Sequence, residues 1–149
     1  MASLFPESSI KGMFDNLIRM GEQYGIEMKP YNYLSNSWLA LAASEFAKDQ
    51  GKFHTFHEAV FRAYFSEGKD IGNLEIILDL AQASGMKQEE LKKVLDDNRY
   101  SARLSAIKQE AHSLGITGAP TFIINERYKI VGAQPFETFR NTFAKIATM

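Results

Sequence analysis

The stretch Gly115-Ile116-Thr117-Gly118-Ala119-Pro120-Thr121-Phe122 decides how the rest of the chain is read. It ends a long helical pattern at Gly115 and sets a proline directly ahead of an apolar run. There the periodicity changes. Thr121-Phe122-Ile123-Ile124 and Tyr128-Lys129-Ile130-Val131 are short β-branched and aromatic runs on either side of Asn125-Glu126-Arg127, the pattern of a β-hairpin. A type I′ turn wants positive φ at both central residues, which Glu126 resists, so the turn is expected to be longer than the minimal one.

Downstream, Pro135 suits the first position of a last helix, in which Phe136, Phe139, Phe143 and Ile146 form one apolar stripe. Upstream everything reads as helix. A long one from about Tyr100 places Leu104, Ile107, Ala111 and Leu114 on one face, with His112 on its flank and Gly115 as its cap. Gln88 to Asp97 carries Leu91, Val94 and Leu95. Asn73 caps a helix with Leu74, Ile77, Leu78 and Leu80 to Ala83, closed by Gly85. Lys52 to Phe65 holds Phe53, Phe56, Val60, Ala63 and Tyr64 at helical spacing and stops near Gly68. Ahead of it, Asn36 or Ser37 caps a helix through about Asp49 with the stripe Trp38, Leu39, Ala42, Ala43 and Phe46. The very short link at Gly51 predicts an antiparallel pair. A first amphipathic helix spans Ser9 to Tyr24, capped by Ser8 or Ser9 and stopped by Gly25. Between the first two helices, Gly25 to Ser35, with Lys29-Pro30, Tyr31 and Tyr33, reads as an extended connector.

At 149 residues, 45% hydrophobic and with four prolines, the chain has the composition of one soluble globular domain. A net charge of −1 supplies no field to draw it to nucleic acid or an anionic membrane. Met1 to Glu7 lacks a basic segment followed by a long apolar run, so neither a secretory signal nor a membrane span is expected and the expected location is cytoplasmic. The absence of cysteine excludes disulfides and thiolate metal sites and removes the commonest redox nucleophile. His54 and His57 stand three apart on a predicted helix, a spacing open to a metal, but with no third ligand in view they are read as solvated. No metal and no cofactor are expected. There is no G-x-S-x-G elbow to suggest a hydrolase. Lys87 to Lys93 and Lys108 to Glu110 look like solvated helix faces, while Met13, Met20, Met28 and Met86 look like core filler, as does the aromatic set Phe53, Phe56, Tyr64 and Phe65.

The order of long helix, two glycines, proline and apolar strand resembles the cis-proline loop of thioredoxin-fold proteins. Ile123-Ile124-Asn125-Glu126-Arg127-Tyr128 and Gly132-Ala133-Gln134-Pro135-Phe136-Glu137 resemble the end of the DsbA-like family, specifically its cytosolic FrnE-type branch of dithiol-disulfide isomerases. Phe46-Ala47-Lys48-Asp49-Gln50-Gly51-Lys52-Phe53, Phe61-Arg62-Ala63-Tyr64-Phe65 and Gly68-Lys69-Asp70-Ile71-Gly72 are similar to that branch's helical insertion. The match runs from the second helix onward. The hairpin departs from the common Asn-Gly of the family, having Asn125-Glu126.

The resemblance implies an α+β, mostly helical chain with a partial thioredoxin-like fold. It would be a single domain over 1–149, with a helical part at about 8–114 and the proline loop, hairpin and last helix at about 115–149. Family members begin with a strand, a redox C-x-x-C at a helix start and a second strand, and no such unit is found here. Disulfide exchange needs an attacking thiolate and a resolving thiol. The chain is therefore expected to be redox-inactive by itself, and to look like a family member lacking its N-terminal βαβ unit. By the same resemblance Pro120 is expected to be cis, with Ala119, Pro120 and Thr121 docking an extended peptide as β-strand addition does. Alternatives are a non-catalytic binding module built on that loop, and a glutathione-dependent isomerase of the kappa-class type, whose glutathione site needs the same missing unit. A hairpin left without its neighbouring strand is marginal in water, so a homodimer is expected in which a second copy buries the exposed strand Thr121 to Asn125 or the apolar patch beneath it.

Overall fold

Alanine at buried helix contacts sets the packing of the first part of the chain. The computed structural model describes residues 7–30 and 34–148. Among them the elements run α1 (Glu7–Glu22), α2 (Trp38–Asp49), α3 (Phe53–Phe61) leading into a π-helical turn (Arg62–Glu67), α4 (Leu74–Ala83), α5 (Gln88–Asp96), α6 (Ser101–Ser113), β1 (Thr121–Ile124), β2 (Tyr128–Val131) and α7 (Phe136–Ala147). The chain forms two compact units, one running to Leu104 and the other starting at Ser105, with the boundary inside α6. The architecture is mostly helical with one small two-stranded sheet among the described residues.

In the first unit Ala43, Ala47, Ala63 and Ala81 have no exposed surface. Their size lets the helices approach closely, and Phe56, Ile77 and Leu91, also fully buried, fill the space between. The α4 start follows the sequence: the Asn73 side chain accepts the Glu75 N–H at 2.9 Å. At α2 the two cap candidates separate. Ser37 holds the cap position without a side-chain bond, and Asn36 accepts the Trp38 N–H at 3.0 Å.

Several expectations are corrected. Ser8 and Ser9 lie inside α1 and do not cap it, because a cap residue needs non-helical backbone and Glu7 ahead of them is already helical. Met13 and Met20 are exposed, and of the methionines read as filler Met86 is the one buried. The helix read as Lys52 to Phe65 changes pitch at Arg62 into the π-turn. Trp38 sits at the exposed start of its helix, 42% accessible. Tyr31 and Tyr33 lie outside the described residues. On the near side of them the Lys29 N–H donates to the Phe65 carbonyl and the Ser66 hydroxyl to the Glu27 carbonyl, both at 2.7 Å, so the connector runs beside the π-turn.

One polar network ties α2 to the start of α6. Buried Tyr100 donates its hydroxyl to Asp49 at 2.7 Å, and Arg103 donates to Asp49 at 3.0 Å and to Glu45 at 3.2 Å. Lys48 also pairs with Glu45, whose side chain is nearly buried. The Tyr100 hydroxyl, and then Arg103, hold the Asp49 carboxyl below its usual range. Burial, and then the Asp49 hydrogen bond, push the Tyr100 phenol up to about 12. Below pH 10 both the folded and unfolded chain keep this proton. Between roughly 10 and 12 the unfolded chain loses it and the folded chain does not, so the stabilisation from Tyr100 drains away across that window. Ultraviolet titration should show a late tyrosine phase that Tyr100→Phe removes. No late phase, or one that survives Tyr100→Phe, would contradict this.

The second unit is packed differently. Among the described residues neither α6 nor α7 contains a buried residue, and Ile130 is the one buried hydrophobic side chain from Ser105 onward. The expected stripes are there, but they are not covered: Ile107, Leu114 and Phe143 are about half exposed and Phe136 is 76% exposed.

Candidate functional site

The proline loop is built from the C-terminus of α6. Gly115 takes φ +61°, its N–H bonds the His112 carbonyl at 2.9 Å and the Ile116 N–H bonds the Ala111 carbonyl at 2.9 Å, a Schellman closure that reverses the chain. The Lys129 ammonium, reaching back from β2, caps the carbonyls of Leu114 and of Gly115, the latter at 3.1 Å. Gly118 is then tied to the strand by the Thr121 hydroxyl, which donates to its carbonyl at 2.6 Å. Ala119–Pro120 is a cis peptide bond.

The hairpin pairs Thr121 with Val131, Phe122 with Ile130, Ile123 with Lys129 and Ile124 with Tyr128. Its turn is Asn125, Glu126 and Arg127, longer than the minimal one as the sequence suggests, yet Glu126 still takes φ 57° beside Asn125 at 49°. Gly132 donates its N–H to the Pro120 carbonyl at 2.7 Å, which makes that pair a hydrogen-bonded one. In an antiparallel ladder, hydrogen-bonded and non-bonded pairs alternate. The bonded positions of β1 are therefore Pro120, Phe122 and Ile124, and the backbone N–H and C=O of Thr121 and Ile123 point to the other edge. The sheet contains only β1 and β2 among the described residues, so that edge has no strand beside it.

The structure thus puts Ala119, Pro120 and Thr121 together at the head of an open strand edge, the first two exposed and the third half-buried. Phe122 meets the Phe139 ring of α7 edge-on at 4.9 Å between centroids, and remains 41% exposed. Lys129, Gly132 and Phe139 support the site without having been singled out from sequence. A lysine between Tyr128 and Ile130 on a strand was the available signal for the first. The histidines on α3 are both exposed, with His57 stacked on Phe53 at 5.0 Å. Among the described residues no three His, Asp, Glu or Cys side chains gather where they could hold a metal, and no helix is long and apolar enough to cross a membrane.

A helical unit followed by a proline-led hairpin and a closing helix is the arrangement of a thioredoxin-like protein. The chain belongs to the DsbA-like thioredoxin domain family, whose model matches residues 3–144. It is 30% identical over 128 residues to the uncharacterized protein YwbO of Bacillus subtilis strain 168, covering 84% of this chain and 64% of YwbO. Over 79 residues it is 28% identical to the thiol:disulfide interchange protein DsbA of Pseudomonas syringae pv. tomato, covering 53% of this chain and 37% of that protein. The crystal structure of a probable DsbA oxidoreductase from Streptomyces coelicolor superposes with a TM-score of 0.79 at 26% identity, over 91% of this chain and 59% of the other. The chain therefore spans less than two thirds of the length of these relatives.

Proposed function

We propose that this chain is the helical and substrate-side part of a cytosolic, FrnE-type dithiol-disulfide isomerase, inactive in redox chemistry as these 149 residues, and that Ala119, Pro120 and Thr121 dock an extended polypeptide. The exposed loop at the cis Ala119–Pro120 bond carries the reading. An extended peptide laid across it would exchange backbone hydrogen bonds with the groups just ahead of the proline, in the manner of strand addition. Binding of this kind follows backbone shape and tolerates many sequences, which suits an enzyme that acts on varied partners.

The chemistry itself needs sulfur. A thiolate must attack, a second thiol must resolve the mixed disulfide, and this sequence contains no cysteine. Those sulfurs come from outside these residues, and what the chain contributes is alignment of the polypeptide to be oxidised or reshuffled. The purified chain should reduce insulin no faster than a protein-free blank, and turnover above the blank would refute the proposed inactivity. Docking is checked separately by titrating a labelled apolar peptide against the chain. Methylating alternate backbone nitrogens of the peptide should abolish binding, and undiminished binding would remove strand addition as the mode.

A further inference from the structure

We infer that Lys129 is a positioning residue for the proline loop, its ammonium holding the head of that loop in the shape that docks a polypeptide. The inference rests on the docking reading for its consequence, while its geometry stands alone. Past the closure of α6 at Gly115, the carbonyls of Leu114 and Gly115 accept no backbone N–H among the described residues. Both would be orphans at the point where the loop begins. The Lys129 ammonium donates to the two of them, at 3.1 Å to Gly115. It also packs onto the bare backbone of Gly115, where a methyl group would stand 3.2 Å from the nitrogen.

The far end of the loop is tied from the same hairpin. Gly132, just past β2, donates its N–H to the Pro120 carbonyl at 2.7 Å, and the Thr121 hydroxyl donates to the Gly118 carbonyl at 2.6 Å. Thr121 and Lys129 share one face of the hairpin, because Thr121, Ile123 and their ladder partners Val131 and Lys129 alternate with Phe122 and Ile130. Between these ties the N–H groups of Thr117, Gly118 and Ala119 donate to nothing among the described residues, and all three residues are exposed. The loop is thus fixed at both ends and unpaired in the middle. Backbone groups held in that way are ordered before a peptide arrives and still available to it, which lowers the entropy cost of docking.

Charge is part of the hold. An ammonium has three donors, enough for both carbonyls at once, and the carbonyls stand at the negative end of α6, where a cation is favoured. The hydrogen bonds of Lys129 go to these two groups and to no carboxylate among the described residues. The contact joins points 14 residues apart in the chain. The ladder between β1 and β2 is made by backbone groups, so losing the Lys129 side chain frees the head of the loop without removing a ladder bond. That separates a positioning role from a merely structural one.

Amide relaxation by nuclear magnetic resonance and titration with the labelled apolar peptide, both on the 149-residue chain, test this. In the wild type Thr117, Gly118 and Ala119 should have order parameters of about 0.85, and Lys129→Met should lower them to below about 0.6. The same variant should weaken peptide binding about tenfold, with hydrogen-exchange protection of the β1 and β2 amides unchanged. Lys129→Arg, which keeps the charge and the donors, should restore both order and affinity. Lys145→Met, in the last turn of α7, removes the same charge elsewhere and should change neither. Should methionine disturb the ladder, Lys129→Gln, uncharged and one atom shorter, decides on the same two readouts. Loop amides that stay ordered in the variant overturn the inference, as does a loosened loop that binds as tightly as the wild type. The docking reading fails separately: a wild-type chain that ignores the peptide removes it, and the order parameters alone then decide whether Lys129 positions the loop.

Discussion

Replacing Phe56 by alanine should lower the unfolding free energy of the helical unit by about 3–5 kcal/mol. The side chain has no exposed surface and sits on α3 in the large core cluster of that unit, which also holds Val60 and Ala43. Truncation removes the transfer free energy of a phenyl ring and leaves a void that close-packed alanine contacts cannot readily collapse into, because the helices already touch there. Urea unfolding followed by far-ultraviolet dichroism should show a lower midpoint with little change in slope. Phe61, on the same helix but 51% exposed, is the control: its alanine variant should shift the midpoint far less. Equal losses at the two positions would mean that the burial difference between them does not govern stability.

That contrast between Phe56 and Phe61 also marks how far the sequence could be read. Period 3.6 places Phe56, Val60 and Ala63 on one face, and all three are buried. Beyond Ala63 the pattern is ambiguous, since over a single turn an α-helix and a π-helix predict nearly the same apolar positions. The π-turn brings both Tyr64 and Phe65 against Phe14 of α1, at 6.2 and 6.5 Å between ring centroids, and that tertiary contact is not encoded in the local spacing. Asn98 is a similar case. It closes α5 with φ 49° in the role that glycine has at Gly85 and Gly115, and a lone asparagine between Asp97 and Arg99 gives a weak signal for it.

At the candidate site the backbone was easier to read than its supports. A proline ahead of Thr121-Phe122-Ile123-Ile124, followed by a second apolar run, is enough to locate the strand edge and its head. The register was not available, because it depends on the Gly132 bond to Pro120 and on the three-residue turn. Lys129 was hidden for a different reason: its value lies in reaching the last carbonyls of α6, far back in sequence. The stripes on α6 and α7 show the limit of periodicity itself, which identifies an apolar face correctly and says nothing of what covers it.

Ile130→Ala should separate the two units. Ile130 is 6% exposed and pairs across the ladder with Phe122, on the same face of the hairpin. Removing its branched side chain is expected to cost about 2–5 kcal/mol, in a unit with no other buried hydrophobic among the described residues to compensate. Since two strands alone are marginal in water, the hairpin should open while α2 to α5 keep their structure. Hydrogen exchange reads this directly: amides of β1 and β2 lose protection, and those around Phe56, Ile77 and Leu91 do not. Phe56→Ala should give the opposite map, with the helical amides exchanging faster and the hairpin little changed. If Ile130→Ala accelerated both sets together, the units would be folding as one, and the docking edge would owe its order to the whole chain and not to the single side chain beneath it.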